Sequence, residues 1–426
     1  MTMDVNADLH IHSKYSMATS NKMDMPTIAR EAAKKGVHLV GTGDCLHAGW
    51  MESIKKLPES DGIFSLDNTS FVLTVEVEDV RRVHHLLIIP SISKAEELRE
   101  QFAGHSRDID TNGRPSVRLS GAEIAEHARD AGALIGPCHA FTPWTAMYAY
   151  HNSLSDCYSD LSDYISFVEL GLSADTSYAD RISELHRLTF LTNSDAHSPW
   201  PNKLAREFNR FEMPEITFDN LKSAILRKNG CKPVLNVGMF PGEGKYNESA
   251  CIRCFKHYAL PDCLAKKWRC RCGGRIKKGV HDRVNELADL AVPDHPDHRP
   301  RYLHLIPLAE IIAMAIGHSS PQTKAVQAAW NTLVKGPGSE IAVLVDGDLS
   351  GLGGVDARIV NAIRAFRHGE VIIHPGGGGR YGTVELPDGA GGANGVGAGV
   401  GADAAGVAVA GPTGAVSDQR TLFDFE

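Results

Sequence analysis

Between residue 4 and about residue 230, short apolar runs of strand length keep returning, separated mostly by stretches with helical spacing. The strand candidates are 5–11, 37–42, 70–77, 84–89, 133–138, 165–170 and 188–192. Helical patterns fit 25–35, 94–102, 121–131 and 178–187, and another fits 218–227 after the last strand. Repeated strand-helix units predict an α/β fold of parallel strands covered by helices, and seven such strands favour a closed barrel over an open sheet. Barrels of this kind place their active sites at the carboxyl ends of the strands.

Polar donors collect at those ends. Asp8-Leu9-His10-Ile11-His12 closes the first strand, and strand alternation predicts Asp8, His10 and His12 on one face, Leu9 and Ile11 on the other. Later strand ends carry Asp44, His47, Glu76, His84 or His85, His139, Asp195 and His197. Asp195-Ala196-His197 repeats the every-second-residue spacing of the first motif, and Glu76 is a carboxylate able to bridge two ions. Such a cluster is costly in a core unless a cation organises it. The expectation is two or three divalent ions, zinc, manganese or magnesium, with the imidazoles favouring zinc, manganese or iron over magnesium. A bound ion lowers the pKa of its water to about 7, so hydrolysis of a phosphoester follows.

The chain of 426 residues carries a net charge of -8, which announces no nucleic-acid partner. Without an apolar run of 18 residues or a basic leader, it reads as a soluble cytoplasmic protein with no membrane partner. That average hides a local reversal, because residues 251–283 hold ten Lys or Arg against Asp262 and Asp282, a balance of +8. Within the same segment Cys251, Cys254, Cys270 and Cys272 form two closely spaced thiolate pairs, a slightly irregular zinc-ribbon pattern for one structural zinc, with Cys263 as a substitute ligand. Lys266, Lys267, Arg269, Arg271, Arg275, Lys277 and Lys278, interleaved with Tyr258 and Trp268, make a surface suited to a polyphosphate backbone.

Composition divides the chain into residues 1–230 (barrel), 231–283 (basic zinc module), 284–387 (a smaller α/β unit), 388–416 (a Gly/Ala-rich linker) and 417–426. In the third segment a buried strand fits 341–345, and Gly376 to Gly379 allow either close approach to a phosphate or a wide turn. The last segment, with Gln419, Leu422, Phe423 and Phe425, is similar to the peptide that docks on the DNA sliding clamp PCNA.

These motifs together resemble the polymerase-and-histidinol-phosphatase (PHP) domain. The resemblance implies a distorted (β/α)7 barrel with metal ions for phosphoester hydrolysis. It assigns His10, His12, Glu76 and Asp195 to one ion, Glu76, His85 and His139 to a second, and Asp44 and His197 to a third. His85 is preferred to its neighbour His84, which spacing does not separate. Asp44 stands where a histidine is usual, and Ala18 where another often falls.

Over about residues 1–387 the chain also resembles the endonuclease Q family, through Gly136-Pro-Cys-His-Ala-Phe-Thr-Pro-Trp144, Cys270-Arg-Cys-Gly-Gly-Arg-Ile-Lys-Lys-Gly279 and Ile373-His-Pro-Gly-Gly-Gly-Gly379. That implies damaged DNA as partner and hydrolysis 5′ to hypoxanthine, uracil, xanthine or an abasic site, with Asp195, His197 and Glu76 as catalytic residues. Extruding a base requires a stacking surface. Phe141, Trp144, Tyr148 and Trp200, each shortly after a ligand histidine, are the candidates to stack on it or to pack on DNA. Two rival readings remain, a phosphomonoesterase of the histidinol-phosphatase type and a non-catalytic clamp or DNA adaptor.

Overall fold

In the computed structural model, which describes residues 2–349 and 355–387, all seven expected strands form. They are Met3–Asp8, Leu39–Gly41, Thr69–Glu78, His84–Ile89, Leu134–Pro137, Phe167–Glu169 and Thr189–Leu191. Their directions depart from the expectation of uniform parallel pairing. Met3–Asp8, Leu39–Gly41 and Thr69–Glu78 run parallel, but Thr69–Glu78 turns back through residues 79–83 into His84–Ile89, which is antiparallel to it and to Leu134–Pro137. Five residues are too few for a crossover helix, so only a hairpin connects these two strands.

On its other side Met3–Asp8 pairs antiparallel with Phe208–Met213, followed by Lys232–Gly238 and then Arg301–His304. The main sheet therefore runs past the expected boundary at residue 230. Phe167–Glu169 and Thr189–Leu191 form a separate parallel pair. Hydrogen bonds tie it to both neighbours, among them Ser166 N to Ile135 O (3.1 Å) and Asn236 Nδ2 to Phe190 O (3.2 Å), so the strands follow one another around a ring.

Two apolar layers follow from strand alternation. Val5, Ala7, Leu39, Val72, Leu86, Ile88, Leu134, Phe167, Leu191 and Phe211 fill the inside, and helix Phe218–Leu226 closes that core with Phe218, Leu221 and Ile225. The opposite faces, including Leu73, Val75 and Leu87, pack under Ile28, Leu98 and Ile124 of the outer helices. Helix Met25–Lys35 shows why these segments are helical: Asp24 caps it by accepting from Thr27 N (2.9 Å), Pro26 stands in the first turn, and Gly36 ends it at φ 94°.

The C-terminal unit is mainly helical, with Leu308–Ile316, Lys324–Lys335 and Ala357–His368 and a hairpin of Ile372–His374 and Thr383–Glu385. The expected strand at 341–345 is instead a wide helical turn, Ala342–Asp346, because a short apolar run fits a buried helix as well as a strand. A buried ion pair docks this unit on the barrel. Lys35 Nζ lies 2.7 Å from Glu340 Oε1, and Glu340 also accepts from Leu308 N (3.1 Å) and Trp330 Nε1 (2.7 Å). Removing one member of such a pair strands the other charge without water. Glu340→Ala is expected to cost about 3–5 kcal/mol, read as a lower denaturant midpoint by Trp330 fluorescence; an unchanged midpoint would mean the pair does not hold the unit in place.

Candidate metal centre and nucleic-acid face

The first strand ends at Asp8, and the alternation ends with it. Asp8 is the first correction: its carboxylate accepts from Ser194 N (3.1 Å), Ser194 Oγ and Ala205 N (2.9 Å), and burial pushes it up to about 6. It anchors the segment that carries Asp195 and His197 and does not join the cluster. Beyond it, Leu9 N bonds Asn193 Oδ1 (2.9 Å) and His12 N bonds Ala196 O (3.0 Å), which sets residues 9–12 beside 193–197.

His10 and His12 then meet Glu76 and Asp195. His12 Nε2 is 3.2 Å from both Glu76 Oε2 and Asp195 Oδ1, and His10 Nε2 is 3.8 Å from Glu76 Oε1 and from Asp195 Oδ1. His139 Nε2 reaches Glu76 Oε1 at 3.0 Å.

The reversed strand settles the choice between adjacent histidines. Glu78 pairs with His84 and Glu76 with Leu86, and residues opposite one another share a face, so His84 stands on the Glu76 side. His84 Nδ1 is 2.6 Å from Glu76 Oε1, and Glu76, His84 and His139 are close enough to share an ion. His85, the preferred residue, is corrected: it faces the other way, to Tyr158 Oη (2.8 Å) and Asp79 Oδ2 (3.4 Å).

Two buried carboxylates fix the imidazoles. His10 Nδ1 lies 2.9 Å from Glu169 Oε2, and His12 Nδ1 lies 3.0 Å from Asp44 Oδ1. Asp44 also accepts from Ser13 N (2.6 Å) and Ser16 Oγ (3.0 Å), so it positions His12 and is not placed as an ion ligand, contrary to expectation. An Nδ1–H committed to a carboxylate leaves the other nitrogen as a bare lone pair. His10 Nε2, His12 Nε2, His84 Nδ1 and Asp195 Oδ1 are buried with no hydrogen-bond partner among the described residues. Lone pairs thus face carboxylate oxygens, and the donor set of His10, His12, Glu76, His84, His139 and Asp195 fits divalent cations.

The same carboxylates favour positive charge at these nitrogens, whether a proton or a cation: burial disfavours the charged forms, yet Glu169 and Glu76 hold His10 well above its ordinary value, and the surrounding histidines hold Glu76 well below the usual carboxylate range. Asp44, His139 and Asp195 adopt left-handed backbone (φ 50°, 29° and 48°), a strained conformation of the kind stored at functional sites. His197 stands at the rim, its ring 4.5 Å from that of His12. His47 is elsewhere, stacked on Tyr15 at 4.1 Å.

In the cysteine module Cys251 Sγ and Cys272 Sγ are 3.5 Å apart, as are Cys254 and Cys270, and all four sulfurs lie within 4.8 Å of one another. Four thiolates so gathered fit one tetrahedral zinc. A Cβ on Gly274 would meet Cys251 Sγ at 2.6 Å, so this turn needs glycine. Cys263 is buried outside the cluster. Lys267, Arg269 and Arg271 are exposed, and Lys266, Arg275 and Lys278 half-buried, while Lys277 lies 3.8 Å over the Trp144 ring.

The expected aromatics do not gather at the site. Phe141 and Tyr148 pack together in the core, Tyr148 bonded to Glu184 (2.8 Å), and Trp200 lines a separate surface cleft with Trp330. A cavity of about 360 Å³ does open beside Asp195 and His197, lined also by Ala18, Leu172, Lys203, Arg206, Met239, Glu243 and Tyr381. Glu169, Arg114 (3.2 Å from Glu76), Glu243 and Tyr381 were missed, although Glu169 ends an expected strand as the other donors do. Gln419, Leu422, Phe423 and Phe425 lie outside the described residues, as does the linker.

Two variants test these assignments. His84→Ala is expected to lose barrel-bound ions while His85→Ala keeps them, measured as metal content per chain; the reverse result would restore the spacing-based choice. Cys270→Ser is expected to lower zinc content by one equivalent, with the barrel ions retained.

Residues 307–370 match the family described as MJ0043 C-terminal domain. Protein MJ0043 of Methanocaldococcus jannaschii is 45% identical over 254 residues, 58% of this chain and 31% of that protein, so the chain spans about a third of that relative's length. The crystal structure of the lesion-specific endonuclease PfuEndoQ from Pyrococcus furiosus is similar at TM-score 0.88 and 48% identity, covering 91% of this chain and 96% of that one. Endonuclease Q in complex with a 27-mer duplex bearing an abasic lesion at its active site matches at TM-score 0.86 and 48% identity, covering 91% and 98%. With nearly the whole length of these structures matched at such identity, the chain belongs to the endonuclease Q family.

Proposed function

We propose that the protein is a metal-dependent DNA repair endonuclease that hydrolyses the phosphodiester 5′ to hypoxanthine, uracil, xanthine or an abasic site. The observation that carries this reading is the convergence of unpartnered histidine nitrogens and carboxylate oxygens at one mouth, in a chain 48% identical to an endonuclease bound to a lesion-bearing duplex. Bound zinc, manganese or magnesium supplies a water of lowered pKa and positive charge at the departing oxygen. His10, His12, Glu76, His84, His139 and Asp195 hold the ions, and His197 stands where it can pass a proton at the rim. Arg114, fixed by Glu76 and partly exposed, offers its guanidinium to a phosphate oxygen.

Lys267, Arg269 and Arg271 project from a module stiffened by zinc and provide the sequence-independent hold on the backbone. A phosphomonoesterase of the histidinol-phosphatase type would use the same ions but leaves that basic face without a role. The terminal peptide with Gln419, Leu422, Phe423 and Phe425 is proposed to dock on the sliding clamp, and a soluble, cytoplasmic location agrees with there being no helix, among the described residues, long and apolar enough to cross a membrane.

Asp195→Asn keeps the shape of the side chain and removes the charge that holds an ion. It is expected to abolish nicking of a hypoxanthine-containing duplex with duplex affinity largely retained, followed by a labelled-strand assay and by fluorescence anisotropy. Normal nicking by this variant would refute the site.

A further inference from the structure

A buried thiol stands among the donors of the metal centre. Strand Leu134–Pro137 stops just before it, and Cys138 N donates to His84 O (3.0 Å), which sets Cys138 beside two residues of the cluster, His84 across the sheet and His139 next in the chain. Cys138 is fully buried, and its Sγ, a His10 nitrogen and a Glu76 oxygen lie within 4.8 Å of one another. These three atoms are close enough to share an ion.

A buried cysteine is ordinarily a small hydrophobe, and Cys138 does belong to the inner apolar core with Phe167 and Leu191. What sets it apart is the partner it faces. His10 Nδ1 is committed to Glu169 (2.9 Å), and His10 Nε2 is buried without a hydrogen-bond partner among the described residues. Cys157 gathers in the same way with His85 and Asp79, but His85 is bonded at both nitrogens, to Tyr158 Oη (2.8 Å) and Asp79 Oδ2 (3.4 Å). That group is complete without an ion, whereas the Cys138 group keeps a lone pair to give.

Sulfur changes which ion fits. Thiolate is a soft ligand that favours zinc, whereas manganese and magnesium prefer oxygen. Resting on the reading of this cluster as a metal centre, we propose that Cys138 joins His10 and Glu76 as a ligand and makes their position selective for zinc over manganese and magnesium. The thiol proton leaves to solvent as the ion binds, and sulfur enters as thiolate. The group of Glu76, His84 and His139 offers nitrogen and oxygen alone, so it stays open to manganese. The two halves of the centre thus differ in the ion they take.

The metal content of the full-length wild type, Cys138→Ala and Cys138→Ser, each dialysed against equal concentrations of zinc and manganese, tests this. The wild type is expected to hold one more zinc per chain than either variant, and the variants to hold manganese in its place. Serine keeps the size of the side chain, so the comparison survives any cavity left by alanine. With cobalt as the added ion, the wild type is expected to show a near-ultraviolet thiolate-to-cobalt absorption beyond that of the variants, whose four-cysteine module is unchanged. Equal zinc in all three proteins, or coincident cobalt spectra, would overturn the role of Cys138. A wild type that binds no ion beyond the zinc of the cysteine module would overturn the metal centre itself, and this inference with it.

Discussion

Everything at the mouth of the barrel depends on one commitment: His10 and His12 each hold a buried carboxylate with Nδ1, Glu169 and Asp44 respectively. Their Nε2 lone pairs are thereby turned toward Glu76 and Asp195, acceptor against acceptor. An arrangement of that kind is unfavourable by itself and favourable around a cation, so the protein stores an ion's place in the orientation of its side chains. Both carboxylates do further work in the scaffold. Glu169 accepts from His139 N (3.0 Å) and Asn193 Nδ2 (2.9 Å), linking three strand ends through one side chain.

Strands alone would not have brought these groups together. Asp8 ties the first strand to Ser194 and Ala205, and Asn193 bonds Leu9 N, so the ends of chemically distinct segments are stitched before any ligand is considered. Left-handed backbone at Asp44, His139 and Asp195 turns each chain sharply where its strand stops. The hairpin into His84–Ile89 matters as much: reversing that strand brings its amino end to the mouth, where His84 lies opposite Glu78.

Outside the barrel, packing joins the modules to the site. Lys277 of the cysteine module sits over Trp144, which follows His139 of the cluster in the chain, and burial with Arg275 nearby lowers the Lys277 ammonium to about 8. At the other end of the C-terminal unit the Lys35 and Glu340 pair fixes the helices to the barrel wall, while the hairpin delivers Tyr381 to the cavity. Of the aromatic residues that follow His139 and His197 in sequence, Phe141 and Tyr148 are core while Trp200 lines a surface cleft, and the aromatic at the cavity came from nearly two hundred residues away.

The sequence by itself determined the strands, the donor-bearing ends His10, His12, Glu76, His139 and Asp195, and the four-cysteine cluster, because periodicity and ligand spacing are local properties of a chain. Strand direction, the helical turn at 342–346, the choice of His84 over His85, the withdrawal of Asp8 and Asp44 to supporting positions, and the presence of Glu169, Glu243 and Tyr381 were decided only by tertiary structure. Each depends on which segment lies across from which, and a side chain's face, burial and partners are fixed by that pairing and not by its neighbours along the chain.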